Sequence, residues 1–387
     1  MKQVLIASFY FPPYAGISWV RAFKFCKFLP EYGWTPWVLT VDKRYYGSKT
    51  TNSSPNLEFI RQSSLPYIPI PAAKTFASLL YPLYLLFFVL KNRSQIDAVL
   101  MIGSPYHPFI LTPIFRRLLR LPTLLDFRDA WSYNFGFDGK QANDTSLLSK
   151  LKNNFFLKIE QISLQHASVA TFATSTLRDE YARLIPEYQE KYHAIFNGYD
   201  EDDFRDITPI SVTKNKTIVL AGKFYIYTPA AVSYFIEILR DIPELTFLYI
   251  GEENKTIESI ARKLNVNDQV ICMSYQPYDQ TLRLIAGSDY CLLTNGLVNG
   301  MGTKIFDYIA LGKPTLCLVP RGSIIAQQFS GSHGIIIVED PHSKERITQG
   351  LLELLSTDYS TIKGQANQFT RKKAAEKLAI LLDNASP

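Results

Sequence analysis

Residues 294–314 read TNGLVNGMGTKIFDYIALGKP, and their punctuation decides how the chain folds. An apolar strand at 290–293 runs into glycines at 296, 300 and 302, and a helix is expected from Lys304. Gly312 ends that helix and Pro314 forbids its continuation. Glycines ahead of a helix start expose backbone N–H donors to a phosphate, and the helix dipole adds attraction. Thr303 is placed to cap the helix or to bond the phosphate itself. Asp307, one turn in, can reach back to ribose hydroxyls. An ordinary capped helix accounts for the same residues without a ligand, but three glycines beyond a buried strand favour the phosphate. The spacing is not GxxxxGK[ST], so this is no P-loop.

The same rhythm extends outward in both directions. Continuous apolar strands are expected at 217–221, 246–250, 269–273, 290–293, 315–318 and 334–338, with helices at 230–240, 257–264, 279–286, 304–311 and 343–355. In the first half, strands fit 4–9, 37–41, 98–102, 123–127 and 169–173, and helices fit 19–29, 107–119 and 148–166. Uniformly apolar strands alternating with helices mean a parallel sheet covered on both faces. The fold class is therefore α/β, with two Rossmann-like doubly wound domains facing across a cleft at the carboxyl ends of their strands. The loop-like run 197–213 places the boundary near Thr208. The first domain is then 1–207 and the second 208–364, and an amphipathic final helix within 365–387 is expected to pack back on the first.

The chain has 387 residues, 47% hydrophobic and 20% charged. With a mean hydropathy of −0.02, this excludes disordered, collagen-like and coiled-coil classes. Four scattered cysteines (Cys26, Cys272, Cys291, Cys317) form no CxxC pair, which argues against a disulfide framework or a zinc knuckle and for a reducing cytoplasm. The opening MKQVLIASFY reads as a first buried strand rather than a signal peptide. Charge is unevenly spread. Residues 1–128 hold 15 Lys/Arg against 5 Asp/Glu, and residues 129–387 hold 26 against 30. The basic end is expected to meet something anionic. The run 76–90, FASLLYPLYLLFFVL, is too short to span a bilayer, which takes about 20 apolar residues. It reads either as a half-buried helix or, with Lys74, Lys91 and Arg93 and the arginine-studded 114–121, as a surface lying in a lipid interface.

Other positions bear on chemistry. The loop FPPYAGISWVR after the first strand lets Gly16 bring backbone close to a ligand and closes on Arg21. It is not GxGxxG, so a dinucleotide fingerprint is absent. Asp126, Arg128 and Asp129 stand at a buried strand's carboxyl end, where charges must pair internally or face a site. His107 lies at another strand end. Gly222 and Lys223 close the second domain's first strand, where the lysine could meet a diphosphate or simply be solvated. Asn197-Gly198 is a turn dipeptide.

Taken together, FYFPPYAG, LLDFRDAW, IFNGYD, LAGKFY and GTKIFDYIALGKP, in this order over nearly the whole chain, resemble the retaining family-4 glycosyltransferases (glycosyl transferases group 1) of GT-B fold, in the variety found in bacterial surface-polysaccharide assembly. The resemblance implies transfer of a sugar from a nucleotide-sugar donor bound by the second domain, with retained configuration and no obligatory metal or other cofactor. Donor contacts would fall to Gly222, Lys223, Asn299, Gly300, Gly302, Thr303, Lys304 and Asp307. The family's paired glutamates fall on Asn299 and Asp307, both departures, and a second lysine usual beyond Lys223 is missing. Arg128, where many relatives have a histidine, would act with Asp129 and Asp126 in catalysis. Gly16, Arg21 and His107 would lie on the acceptor side.

The implied mechanism is a front-face displacement. Lys223 and the 300–304 loop would stabilise the leaving diphosphate, whose oxygen would take the acceptor proton. The acceptor would be a lipid-linked glycan, met by a cytoplasmic enzyme peripheral on the inner face of an anionic membrane. Nucleic acid is not an expected partner, since no recognition motif accompanies the basic residues. A nucleotide-sugar epimerase and a non-catalytic partner subunit are the alternatives.

Overall fold

The computed structural model of the chain describes residues 1–14, 17–47, 67–70, 77–132, 147–357 and 366–386. Contacts divide the chain into one unit of Met1–Asn197 with Arg371–Pro387, and a second of Gly198–Thr370.

In the first unit, strands β1 (Lys2–Ser8), β2 (Trp34–Val41), β3 (Tyr67–Ile70), β4 (Ala98–Ile102), β5 (Thr123–Phe127), β6 (Val169–Phe172) and β7 (Tyr192–Ala194) pair in parallel in the order β3-β2-β1-β4-β5-β6-β7. Alternation within each strand supplies two cores. Leu5, Ala7, Val99, Met101 and Leu125 face one side. Val4, Ile6, Ala98, Leu100 and Leu124 face the other. Helix α1 (Val20–Phe28) and the terminal helix Arg371–Asn384 cover the second side, with Phe25 and Cys26 in one cluster with Ala375, Leu378 and Leu382. Helix α2 (Ala77–Lys91) lays Tyr81, Leu85 and Val89 on the first side, and the buried Tyr81 hydroxyl donates to the Leu39 carbonyl at 2.7 Å. Among the described residues no helix is long and apolar enough to cross a membrane. Helices α3 (Leu147–His166) and α4 (Ser175–Leu184) follow β5 and β6.

The second unit carries β8 (Lys216–Ala221), β9 (Leu245–Ile250), β10 (Val270–Met273), β11 (Tyr290–Thr294), β12 (Thr315–Val319) and β13 (Ile335–Glu339), all parallel, in the order β10-β9-β8-β11-β12-β13. Helices α5 (Pro229–Ile238), α6 (Asn254–Lys263), α7 (Tyr278–Ala286), α8 (Lys304–Ala310), α9 (Ile324–Phe329) and α10 (Lys344–Ser356) connect them. In both sheets the order reverses at the unit's first strand, between β1 and β4 and between β8 and β11. Open α/β sheets bind ligands outside the carboxyl ends of strands flanking such a switch point.

Some elements differ from the sequence expectation. The single helix expected over 107–119 is a 3-10 turn, His107–Leu111, followed by a π-helical turn, Ile114–Leu118. Pro113 has no N–H to donate into a continuous α-helix, which accounts for the break. Strands β3 and β7 and helix α4 were not expected. The boundary expected near Thr208 compares with a division after Asn197. Tyr199 already donates to the Phe369 carbonyl at 3.0 Å and bridges Thr370, so the second unit begins and ends as one seam.

Candidate active site

The second unit's switch point is built from the ends of β8 and β11. Gly222 follows β8 at φ +137°, a conformation suited to glycine, and is exposed with open space where a side chain would start. The next residue, Lys223, is exposed, and its carbonyl accepts from Thr294 Oγ1 at 2.6 Å, which ties the two strand ends together. Gly251, after β9, packs so closely that an added Cβ would lie 2.5 Å from the Gly222 carbonyl oxygen.

The loop from β11 to α8 turns on buried Asn295. Its amide donates to the carbonyls of Leu297 (3.1 Å) and Gly300, and its Oδ1 accepts from the Leu297 N–H at 3.3 Å. Gly300 and Gly302 lie in this loop, Gly302 exposed, and Asn299 is half-buried. Thr303 precedes α8 in helical conformation and its side chain caps no N–H there, so the expected capping bond is replaced by backbone bonds from Phe306 and Asp307 to the Thr303 carbonyl. Asp307 is buried. Its carboxylate accepts from the Tyr278 hydroxyl at 2.9 Å and faces Lys304 Nζ at 3.3 Å, while that ammonium also lies 5.4 Å from the Tyr278 ring centre. A cavity of about 580 Å³ opens nearby in this unit, lined by Tyr227, Thr228, Pro229, Arg321, Asp340 and His342.

In the first unit the structure separates the charges of residues 126–129. Asp126 is buried and held bidentate by buried Arg21, Nε to Oδ2 at 2.7 Å and Nη2 to Oδ1 at 2.8 Å, and Thr171 Oγ1 donates to it at 2.6 Å. Asp126 and Arg21, expected at the catalytic and acceptor positions, thus form the internal pair that a buried strand end demands. Arg128 and Asp129 point elsewhere. Arg128 is half-buried and donates to the Ser18 carbonyl at 2.9 Å, and Asp129 is exposed. Asp129 is held through its backbone, its N–H donating to the Tyr106 hydroxyl at 3.1 Å and its carbonyl accepting from that hydroxyl at 2.6 Å. Burial, then the nearby Asp129 charge, pushes the Tyr106 phenol pKa up, so it stays a donor. Trp131 stacks on Tyr106, and the buried Glu160 takes bonds from Ser132 and Tyr181. His107, adjoining Tyr106, is therefore brought to the same strand-end region as Asp129. Gly16 lies outside the described residues.

Sequence reasoning missed Glu253, Thr294, Asn295, Tyr278 and Tyr106. Glu253, Thr294, Tyr278 and Tyr106 work through partners more than 20 residues away, so no local spacing marks them, whereas Asn295 bonds within its own loop. The aromatic density of FYFPPY was a usable signal, because Tyr10 and Tyr14 pack against Tyr46 beside β1's carboxyl end.

Two α/β units with these strand orders define the GT-B class. Residues 202–376 match the family described as glycosyl transferases group 1. The match covers most of the second unit, so a group 1 glycosyl transferase domain is assigned to that part of the chain. No curated protein sequence matches it at a significant level. Among solved structures it resembles HepE of Anabaena in complex with UDP and glucose, at 12% identity and TM-score 0.68, covering 99% of this chain and 100% of that one. The sucrose-phosphate synthase of Thermosynechococcus elongatus matches at 13% identity and TM-score 0.68, covering 99% of both chains. WaaG, a glycosyltransferase involved in lipopolysaccharide biosynthesis, matches at 12% identity and TM-score 0.64, covering 98% of this chain and 99% of that one. At such identities these likenesses speak for fold.

Proposed function

We propose that the chain moves a sugar, with retention, from a nucleoside diphosphate sugar held by the second unit to a hydroxyl of a lipid-linked glycan in surface-polysaccharide assembly. The observation that carries this reading is the placement of an exposed Lys223 ammonium and the 294–307 loop on either side of the β8/β11 switch point. HepE, of the same fold, holds UDP and glucose, and the group 1 match over 202–376 supports transfer rather than epimerisation.

In the proposed reaction Lys223 faces the diphosphate, whose charge grows as the glycosidic bond breaks, so the lysine stabilises the transition state more than the bound donor. Asp307 accepts ribose hydroxyls with the lone pairs that Tyr278 leaves, and Gly302, Thr303 and Lys304 adjoin the diphosphate. Arg128 and Asp129 orient the acceptor, and a leaving phosphate oxygen takes the acceptor proton. No metal and no further cofactor enters.

The acceptor's lipid is proposed to be met by the outer stripe of α2. Leu83, Phe87 and Leu90 are exposed there, Phe87 to 66%. Ile110 and Leu118 on the two following turns are exposed as well, beside Lys91, Arg116, Arg117 and Arg120.

A thermal-shift panel of UDP, GDP, CDP, ADP and their sugars tests the donor half, since a ligand of the folded state raises the melting temperature. A selective rise with one nucleoside diphosphate, unchanged by EDTA, is expected. A flat panel would overturn the donor assignment.

A further inference from the structure

The loop after β8 contains an anion-binding concavity that the protein fills itself. The backbone N–H groups of three successive residues, Phe224, Tyr225 and Ile226, converge on the Glu253 carboxylate, at 2.6 and 2.9 Å to Oε2 and 2.9 Å to Oε1. Runs of successive N–H groups of this kind elsewhere cradle phosphates. The carboxylate is itself held in place. The Tyr249 hydroxyl accepts from the Glu253 N–H at 3.1 Å, lies 3.3 Å from Oε2 and donates to the Gly222 carbonyl at 2.9 Å. Burial raises the Tyr249 pKa, so the phenol remains a donor.

We propose that Glu253 is a positioning residue for glycosyl transfer: as an internal anion seated on the 224–226 amides, it sets the Gly222–Tyr227 loop and directs the donor diphosphate onto Lys223. The inference rests on the reading of Lys223 given above. Lys223 is pinned from both sides, its carbonyl by Thr294 Oγ1 and the residues after it by Glu253, so its ammonium projects from a fixed backbone. A diphosphate seeking the amides would have to expel a carboxylate already bound by charge-assisted bonds, and would meet its negative charge. The donor therefore takes the lysine, and the amides serve as scaffold.

The test is Glu253→Gln combined with Lys223→Ala in a double-mutant cycle, with kcat and donor KM measured for each variant. Glutamine matches the shape but, with its oxygen on the Phe224 and Tyr225 amides, turns an NH2 against the Ile226 N–H that needs an acceptor, and it carries no charge. Because a misplacement of about 1 Å can cost on the order of 100-fold in rate, Glu253→Gln is expected to lower kcat by roughly 10- to 100-fold with a smaller change in KM. In the Lys223→Ala background the same change should have little further effect. Glu253→Asp should restore part of the rate, and Tyr249→Phe, which leaves the carboxylate in place, should give a milder loss of the same kind.

A Glu253→Gln variant that binds donor more tightly would overturn the proposal, because the amides would then be a competing phosphate site. So would losses that simply multiply with those of Lys223→Ala. If Glu253→Gln does not fold, an unchanged kcat in Tyr249→Phe and Glu253→Asp overturns it in its place. A wild-type protein that neither binds nucleoside diphosphates nor transfers sugar fails the parent reading, an outcome read before any variant is made.

Discussion

Asp126 and Arg128, two residues apart in one short motif, meet different surroundings: Asp126 is paired in the interior with Arg21, and Arg128 is half-buried against the Ser18 carbonyl. The Arg21–Asp126 pair is almost wholly buried, and removing one member leaves a charge without its partner in a low-dielectric interior. Breaking such a pair typically costs about 3–5 kcal/mol. Asp126→Asn and Arg21→Ala should therefore lower the urea midpoint markedly, with any loss of activity following loss of fold. Arg128→Ala should leave the urea midpoint and nucleotide-induced thermal shift nearly unchanged while cutting transfer by about 100-fold or more, a size typical for loss of a preorganised charge. Equal destabilisation in all three variants would remove Arg128 from the site. The motif's charged character was legible in the sequence, and so was the demand for pairing. Which aspartate is paired was not, because Arg21 sits on α1, far from β5 in the chain, and only folding brings the guanidinium to the carboxylate.

At the scale of elements, legibility followed burial. A central strand such as β4 is apolar throughout because both faces are covered, and a continuous apolar run is readable from one sequence. The edge strands β3 and β7 have four and three residues, too few to show a period, and β3 includes Pro69. Thr303 stands at the N-cap position as expected, but its side chain makes no capping bond, because side-chain capping competes with a backbone turn and composition does not say which prevails. The terminal helix is the element most open to a direct test. Leu378 is fully buried in the cluster with Phe25 and Cys26 of α1. Leu378→Ala is expected to cost the first unit about 2–4 kcal/mol, the usual range for a buried leucine whose cavity cannot collapse. Differential scanning calorimetry should show the first unit's transition moving down while that of the second stays in place. Equal shifts of both would mean that the helix does not belong to the first unit alone.

Over the whole molecule, charge is partitioned by unit more sharply than by halves of the sequence. The first unit holds 26 Lys/Arg against 15 Asp/Glu, and the second 15 against 20. The excess of cations lies in the unit that also exposes Leu83, Phe87, Leu90 and Leu118. Exposed apolar side chains on a basic unit are costly in water and suited to an anionic bilayer, where the two forces act over different ranges. Electrostatic attraction is screened within a Debye length of about 8 Å at physiological salt and about 3 Å at 1 M, whereas apolar insertion is little weakened by salt. Sedimentation with phosphatidylglycerol-containing vesicles should thus show binding that is absent with purely zwitterionic vesicles and falls steeply between low and high salt. Phe87→Asp with Leu83→Asp should abolish vesicle binding at every salt concentration, since both side chains are exposed and a charge would have to enter hydrocarbon. Arg116→Ala, Arg117→Ala and Arg120→Ala together should reduce binding mainly at low salt, by about 1 kcal/mol for each cation lost near the surface. The outer stripe of α2 is excluded as the lipid-facing surface if the aspartate variants bind vesicles like the wild type.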